Sequence, residues 1–368
     1  MKRAVLLFLC FSFFLCGCLA PQKEQRIKDN VKEYHKGLWI TYSELDNMLL
    51  SDFKREFSEA LEKCEEQGIT DIFVHTVAFC DAYYNSEYFP KAKASEDMDF
   101  DVLKFMVSAA HSKNIRLHSW INPYRVRTAD NNTEALDKKS HPYRWLSEGK
   151  NDNILITKSG IYLNPASLEA RRLVLSGIRE ILNGYAVDGI HFDDYFYPTD
   201  CENEDFKSYE AYTLTSPTPL SINEWRRGNV NALVSSAYTA IKFINKDIIF
   251  SISPAADINK NYESLYADVG LWAKSGCVDW IIPQLYFGFN YPDSNFCFDN
   301  LLARWKDYLS DSNVKLLIGL ANYKIGTTAQ PDADEWVLGE EIIKKQEQIC
   351  KDDEDIYGHI YFSYTYIK

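Results

Sequence analysis

The sequence predicts an α/β fold, a single (β/α)8 TIM barrel with its eighth helix absent or replaced. Three observations carry this. Eight short apolar runs are continuous rather than alternating, which suits strands buried on both faces of a parallel sheet. Amphipathic helical stretches lie between them, and strand–helix alternation of this kind closes into a barrel. The chain has 368 residues, 46% hydrophobic and 25% charged, and α/β barrels of such length fold as one unit.

The elements follow in chain order. Met1-Lys2-Arg3 is a positive n-region and Ala4 to Leu15 an apolar run, too short to span a bilayer but typical of a secretory signal. It ends in Leu15-Cys16-Gly17-Cys18, which resembles a bacterial lipobox and makes Cys18 the expected lipidation site. The expectation is a signal peptide and lipobox over 1–18, a polar tether over 19–36 and the barrel over 37–368. The membrane is then met through a lipid anchor, and the protein sits in the cell envelope, periplasmic or surface-exposed.

The strand runs are Gly37–Tyr42, Asp71–Thr76, Ile115–Ile121, Val187–Phe192, Ile248–Ser253, Val278–Leu285, Val314–Ala321 and Tyr357–Tyr364. Between them, Asp52 to Gln67 places Phe53, Phe57, Leu61 and Cys64 on one helical face, with Gly68 as the stop. Phe100–Lys113, Ser167–Asn183, Ile222–Asn245, Asn261–Lys274, Asp299–Leu309 and Asp334–Cys350 read as helices in the same way. Two long loops, Arg127–Leu163 with a hairpin-like centre and the Thr-, Ser- and Pro-rich Thr199–Leu220, follow strand C-terminal ends, where barrel sites are built.

A net charge of −13 speaks against a nucleic-acid partner, whose phosphates need a basic footprint. Cys64, Cys80, Cys201, Cys277, Cys297 and Cys350 show no CxxC spacing, so buried thiols are expected. No GxGxxG motif is present, and Lys324-Ile-Gly-Thr-Thr is too short a cue for a phosphate site. No cofactor, metal or protein partner is expected.

The richest stretch is Val187-Asp-Gly-Ile-His-Phe-Asp-Asp-Tyr-Phe-Tyr-Pro198. With period 2, Ile190 and Phe192 face the helices while His191 and Asp193 turn into the barrel mouth. Adjacent carboxylates there, Asp193 and Asp194, suit a protonated acid beside an ionised partner. Other strand ends bring Trp39, Asp81, His118, Trp120, Asn122, Tyr124, Arg125, Gln284, Tyr286 and Asn322, with Tyr195 beside the carboxylates. The aromatics suit stacking, and the polar groups suit hydrogen bonding to a ligand.

The motifs Gly37-Leu-Trp39-Ile-Thr, Leu117-His-Ser-Trp-Ile-Asn-Pro-Tyr124, Tyr162-Leu-Asn-Pro165, Asp188 to Pro198, Ser251-Ile-Ser-Pro254 and Pro283-Gln-Leu-Tyr286 resemble those of the bacterial family-10-like glycosyl hydrolases, in order, over most of the chain. The resemblance implies a TIM barrel acting on a glycan. Phe73-Val-His75-Thr-Val departs from it, since the family more often carries Gln and Arg there. The end at Lys368, directly after the eighth strand, also comes earlier than in relatives.

The expected chemistry is glycosidic hydrolysis with Asp194 as general acid and Asp193 as ionised partner, resembling hexosaminidases that use the substrate's acetamido group as nucleophile. Asp193 as direct nucleophile, with acid supplied by Glu44 or Asp81, stays open. The rivals are metal-assisted hydrolysis through His75, His118, His191 and Asp193, and a non-catalytic glycan-binding barrel.

Overall fold

A computed structural model of the chain describes residues 33–367 apart from 329, 330 and 338. The signal segment, Cys18 and most of the polar tether lie outside the described residues. Among the described residues eleven strands occur: β1 (His35–Ile40), β2 (Asp71–Val77), β3 (Arg116–Ile121), β4 (Arg125–Thr128), β5 (Ile154–Ile156), β6 (Gly160–Leu163), β7 (Gly189–Phe192), β8 (Ile249–Ile252), β9 (Trp280–Ile281), β10 (Lys315–Leu320) and β11 (Ile356–Tyr361). Eight close into a barrel in the order β1-β11-β10-β9-β8-β7-β3-β2, all neighbours parallel. These are the eight runs expected, and the hairpin-like loop centre is the antiparallel sheet β4-β6-β5.

The barrel interior and the strand–helix layer are separate packings. Trp39, Phe73, Trp120, Trp280, Ile282, Leu317 and Ile360 fill the barrel. Ile190 and Phe192 belong to the outer core, as alternation requires. Gly189 at the start of β7 is forced by close approach, because a Cβ there would lie 2.1 Å from His118 Nδ1. At the start of β2 and β3, buried Asp71 accepts from His118 Nε2 at 2.9 Å and pairs with Arg116 Nε at 2.9 Å and His35 Nδ1 at 3.3 Å. Burial raises its pKa, but these hydrogen bonds and charges outweigh it and hold the carboxyl well below the usual range.

Capping sets the helix starts. Asp52, Asp101 and Ser167 each accept a backbone N–H of the first turn of Phe53–Glu66, Val102–Ser112 and Leu168–Gly184. Gly68, at φ +67°, stops the first of these.

Four expectations change. β1 starts at His35, so His35 and Lys36 belong to the barrel rather than the tether. β9 is short because Pro283 has no N–H to donate; pairing resumes beyond it as single bridges from Gln284 to Ala255 and Gly319. The stretch 261–274 is two helices, Ile258–Glu263 and Val269–Lys274, with Tyr266 between them at φ 53°. The stretch 334–350 divides into Ala333–Trp336 and Glu341–Asp352 around Gly339, at φ +87°. Helices Tyr42–Leu49 and His141–Ser147 were not expected, and neither was Phe206–Thr215 within the second long loop. After β11 the described residues form only a 3-10 turn, Tyr364–Tyr366. All six cysteines from Cys64 onward are free thiols, five buried and Cys277 half-buried.

Candidate active site

A cavity of about 410 Å³ opens at the C-terminal ends of the strands, and Asp193, Asp194, Trp120, Arg125, His75 and Gln284 line it. Asp193 follows β7 with the inward phase of its alternation. Two residues earlier, on the same inward phase, His191 packs against the rings of Trp39, Phe73 and Trp120.

Asp193 is ringed by donors. Trp120 Nε1 donates to Oδ2 at 3.1 Å and the Tyr195 N–H to Oδ1 at 3.2 Å. The Asn122 amide takes the orientation its neighbours require. Its oxygen accepts from His75 Nε2 at 3.0 Å, and its nitrogen donates to Asp193 Oδ2 and Oδ1 at 2.7 and 2.8 Å. The Tyr42 N–H donates to His75 Nδ1 at 3.1 Å, so the ring is neutral with its proton on Nε2. Burial, with Arg125 and His191 adding, drives the His75 pKa well down, which agrees with that tautomer. The His75 ring stacks on Trp120 with centroids 3.4 Å apart.

Burial pushes the Asp193 carboxyl up to about 7, against the opposing charge of Arg125 and with the Asp194 charge adding to the rise. The donors pull the other way. Among the described residues the groups that hydrogen-bond its oxygens are N–H donors, and such donors favour the carboxylate.

Asp194 differs. Gln284 Nε2 donates to its Oδ1 at 3.3 Å, while also reaching Ser253 O and Oγ at 3.2 Å. Burial raises this carboxyl too, with the Gln284 donor opposing. It faces the same cavity with fewer side-chain donors than Asp193. The Arg125 guanidinium stacks 3.8 Å from the Tyr195 ring, and its charge lowers both carboxyls. Tyr286 packs against Tyr323 and Phe362, its phenol within reach of the Asp194 and Asp193 charges.

The structure thus brings Trp120, Asn122, Arg125, Tyr195, Gln284 and Tyr286 to the carboxylate pair. Six other residues lie elsewhere or are engaged. Trp39 is buried inside the barrel, donating from Nε1 to His191 Nε2 at 3.1 Å, and His191 Nδ1 bonds Ser251 Oγ at 2.8 Å. His118 is held by Asp71 at the opposite end of its strand. Tyr124 is 1% exposed, within the outer core. Asn322 lines a separate cavity with Lys36 and Glu347, and Asp81 lines a neighbouring one. A contact of these six with a ligand in the Asp193 cavity does not follow from the geometry. Glu44 lines the cavity but is saturated. Ser363 Oγ, Thr365 N and Thr365 Oγ1 donate to its Oε1 at 2.7–2.8 Å, and Thr41 N and Oγ1 to its Oε2 at 2.7 and 2.9 Å. Those five hydrogen bonds occupy both of its oxygens and tie it to the chain's last turn. The histidines proposed as metal ligands do not converge, and among the described residues no group of three His, Cys, Asp or Glu is arranged to hold a metal.

Sequence reading missed the wall that Tyr42, Phe362, Ser363, Thr365 and Tyr366 form with Tyr323. Its only cue was the polar, aromatic run after the eighth strand.

The sequence profile of one family, glycosyl hydrolase-like 10, matches residues 35–338. The glycosyl hydrolase YngK of Bacillus subtilis is 29% identical over 349 residues, 88% of this chain and 66% of that protein, so the chain spans just under two thirds of that relative's length. The glycosyl hydrolase DigH of Escherichia coli K12 is 25% identical over 413 aligned positions, covering 99% of this chain and 93% of that one. Among solved structures, the glycoside hydrolase domain of PgaB (BpsB) from Bordetella bronchiseptica superposes with a TM-score of 0.57 at 11% identity, covering 89% of this chain and 94% of that one. An endo-1,4-β-mannanase from Rhizomucor miehei gives 0.54 at 12% identity, covering 90% and 86%. At such identities these two structures speak for the fold alone.

Proposed function

The chain belongs to the glycosyl hydrolase-like 10 family, and on that premise we propose that it hydrolyses glycosidic bonds with Asp194 as general acid and Asp193 as its ionised partner. The single observation that supports this best is the contrast between two adjacent carboxyls on one cavity. Asp193 sits within N–H donors from Asn122, Trp120 and Tyr195, whereas among the described residues one side chain, Gln284, donates to Asp194, beside its own backbone N–H. Environments that hold one carboxyl ionised and leave its neighbour free to carry a proton are what acid catalysis needs.

The substrate class we favour is an N-acetylhexosamine glycan. Its acetamido oxygen attacks the anomeric carbon as Asp194 protonates the departing oxygen. Asp193 holds the acetamido nitrogen and offsets the positive charge that grows on the resulting ring. Water then opens that ring at the anomeric carbon, returning a proton to Asp194. Trp120 supplies an apolar face and Arg125 a donor at the same mouth. A lipid anchor at Cys18 would hold the enzyme at the cell envelope, beside its glycan; membrane fractionation of the full chain and of Cys18→Ala tests that part.

Digestion of a glycan library by wild type and Asp194→Asn tests the activity itself. General acid catalysis contributes roughly 10²–10⁴-fold, so the variant should lose at least that order on the glycan the wild type cleaves. Glycan binding without turnover by the wild type would instead make the barrel a binding protein.

A further inference from the structure

A second cavity, of about 450 Å³, opens beside the first and takes no part in the chemistry above. Its size falls within the roughly 300–1,000 Å³ of small-molecule sites. Tyr42, Phe79 and Arg125 form the wall between the two. The Phe79 ring lies 4.8 Å from the Tyr42 ring and 5.2 Å from the Arg125 guanidinium. Tyr42 and Arg125 face the first cavity, and Phe79 faces the second.

The lining of the second cavity is amphipathic. Pro90, Val126 and Leu136 supply an apolar side; Asp81, Lys91 and Asp137 supply charge. A pyranose is amphipathic in the same sense, with C–H faces and a rim of hydroxyls. The cavity is also preformed. Lys91 bridges Ala82 in parallel pairing, Ala82 N–H bonds Pro90 O at 2.8 Å and Ala92 N–H bonds Ala82 O at 2.8 Å. Val126 lies on β4, which pairs with β6. A site whose walls are already ordered loses little entropy on binding.

Asp81 is the group left over. Its Oδ1 accepts the Phe79 N–H at 2.9 Å, and the backbone N–H groups of Ala78 and Asp81 also face the carboxylate. Among the described residues no side chain donates to it. Burial pushes this carboxyl up to about 6, with the Phe79 N–H opposing, so it is mainly ionised at neutral pH. A half-buried carboxylate in that state accepts charge-assisted hydrogen bonds, and sugar hydroxyls supply the donors.

We propose that this second cavity is a remote sugar subsite, binding a pyranose unit of the same glycan chain across the Tyr42–Phe79–Arg125 wall from the scissile bond, with Asp81 accepting its hydroxyls. The proposal rests on the glycosidase reading and deepens it: chain length, and not only the sugar at the cleavage point, selects the substrate. Binding energy gathered there is available to the distant reaction centre.

The test uses the full chain and β-1,4-linked N-acetylglucosamine oligomers from the disaccharide to the heptasaccharide. Affinity is measured by calorimetry on Asp194→Asn, with and without Asp81→Ala, and kcat/KM is followed in parallel on wild type and Asp81→Ala. Affinity should rise with length, and Asp81→Ala should remove about tenfold or more of that rise, near 1.4 kcal/mol. Asp81→Asn, which keeps the shape, serves as the second variant if Asp81→Ala melts early. A length-dependent rise that survives both substitutions overturns the subsite even where hydrolysis is seen. A rise removed by the substitutions, in a protein that cleaves none of the oligomers, upholds the subsite and refutes the hydrolase reading. Affinity independent of length, or no binding, overturns the subsite.

Discussion

Removing the Asn122 side chain isolates the source of the Asp193 charge. Asn122→Ala deletes two N–H donors to the carboxylate, at 2.7 and 2.8 Å, and the acceptor that faces His75 Nε2. A hydrogen bond to a charged group contributes about 1.5–3 kcal/mol. Taking the low end for each, because water enters the vacated space, the carboxylate loses about 3 kcal/mol relative to its protonated form. At 1.36 kcal/mol per pKa unit this is a rise of about two units. The sign follows directly. In the proposed reaction Asp193 acts in its ionised form, so kcat/KM falls on the acid side as Asp193 takes up a proton, and raising its pKa moves that limb to higher pH. The assay is kcat/KM against pH on one defined oligosaccharide, with the two apparent constants assigned to the carboxyl pair. Activity lost at neutral pH should partly return at alkaline pH, until Asp194 deprotonates. Asn122→Asp, which sets a like charge in place of the donors, should move the limb further. An acid limb that stays put in an Asn122→Ala protein of wild-type melting temperature would refute the donor shell as the cause.

Three further outcomes are expected. Trp120→Phe keeps a ring on His75 but loses one N–H to Asp193; kcat/KM should fall roughly 10- to 150-fold, the equivalent of about 1.5–3 kcal/mol, and a change under threefold would contradict it. Glu44→Gln weakens the carboxylate that gathers Ser363, Thr365 and Thr41; hydrogen exchange at 362–366 should quicken and KM should rise, whereas unchanged exchange would deny the clamp. Asp71→Asn removes the negative charge that faces His118, His35 and Arg116 in the barrel floor; removing one partner of such a buried ionic group costs about 3–5 kcal/mol at pH 7. Because the folded carboxyl titrates well below its unfolded value, the wild type keeps that stability above about pH 4 and loses it as pH falls further. Denaturation midpoints of wild type and Asp71→Asn should therefore converge in acid; a constant gap would contradict the linkage.

The strands were legible because burial on both faces leaves continuous apolar runs, and the phase of one of them carried Asp193 inward while Ile190 and Phe192 went out. The helix breaks were less so. Gly339 sits inside an otherwise helical pattern, and Asn261 bonds the backbone of Ala255 at 2.8 and 3.0 Å, a competition invisible to periodicity. Strand-end aromatics carry no local sign of direction: Trp39 and Tyr124 are buried while Tyr195 is 49% exposed. The roles of His75 and Asn122 depend on the register of β2 against β3, and the Glu44 clamp joins residues 319 positions apart. Contacts of that kind exist only in the folded chain.

The leaving-group dependence of hydrolysis tests the acid role of Asp194 most directly. Aryl N-acetylhexosaminides spanning good to poor leaving groups are compared on wild type and Asp194→Asn. Protonation by Asp194 makes the wild-type rate nearly indifferent to the leaving group. The variant should approach wild type on the most acidic phenol and fall behind by roughly 10²–10⁴-fold on the least acidic. Equal losses across the series, or a variant as active as wild type on the poorest leaving group, would contradict general acid catalysis by Asp194.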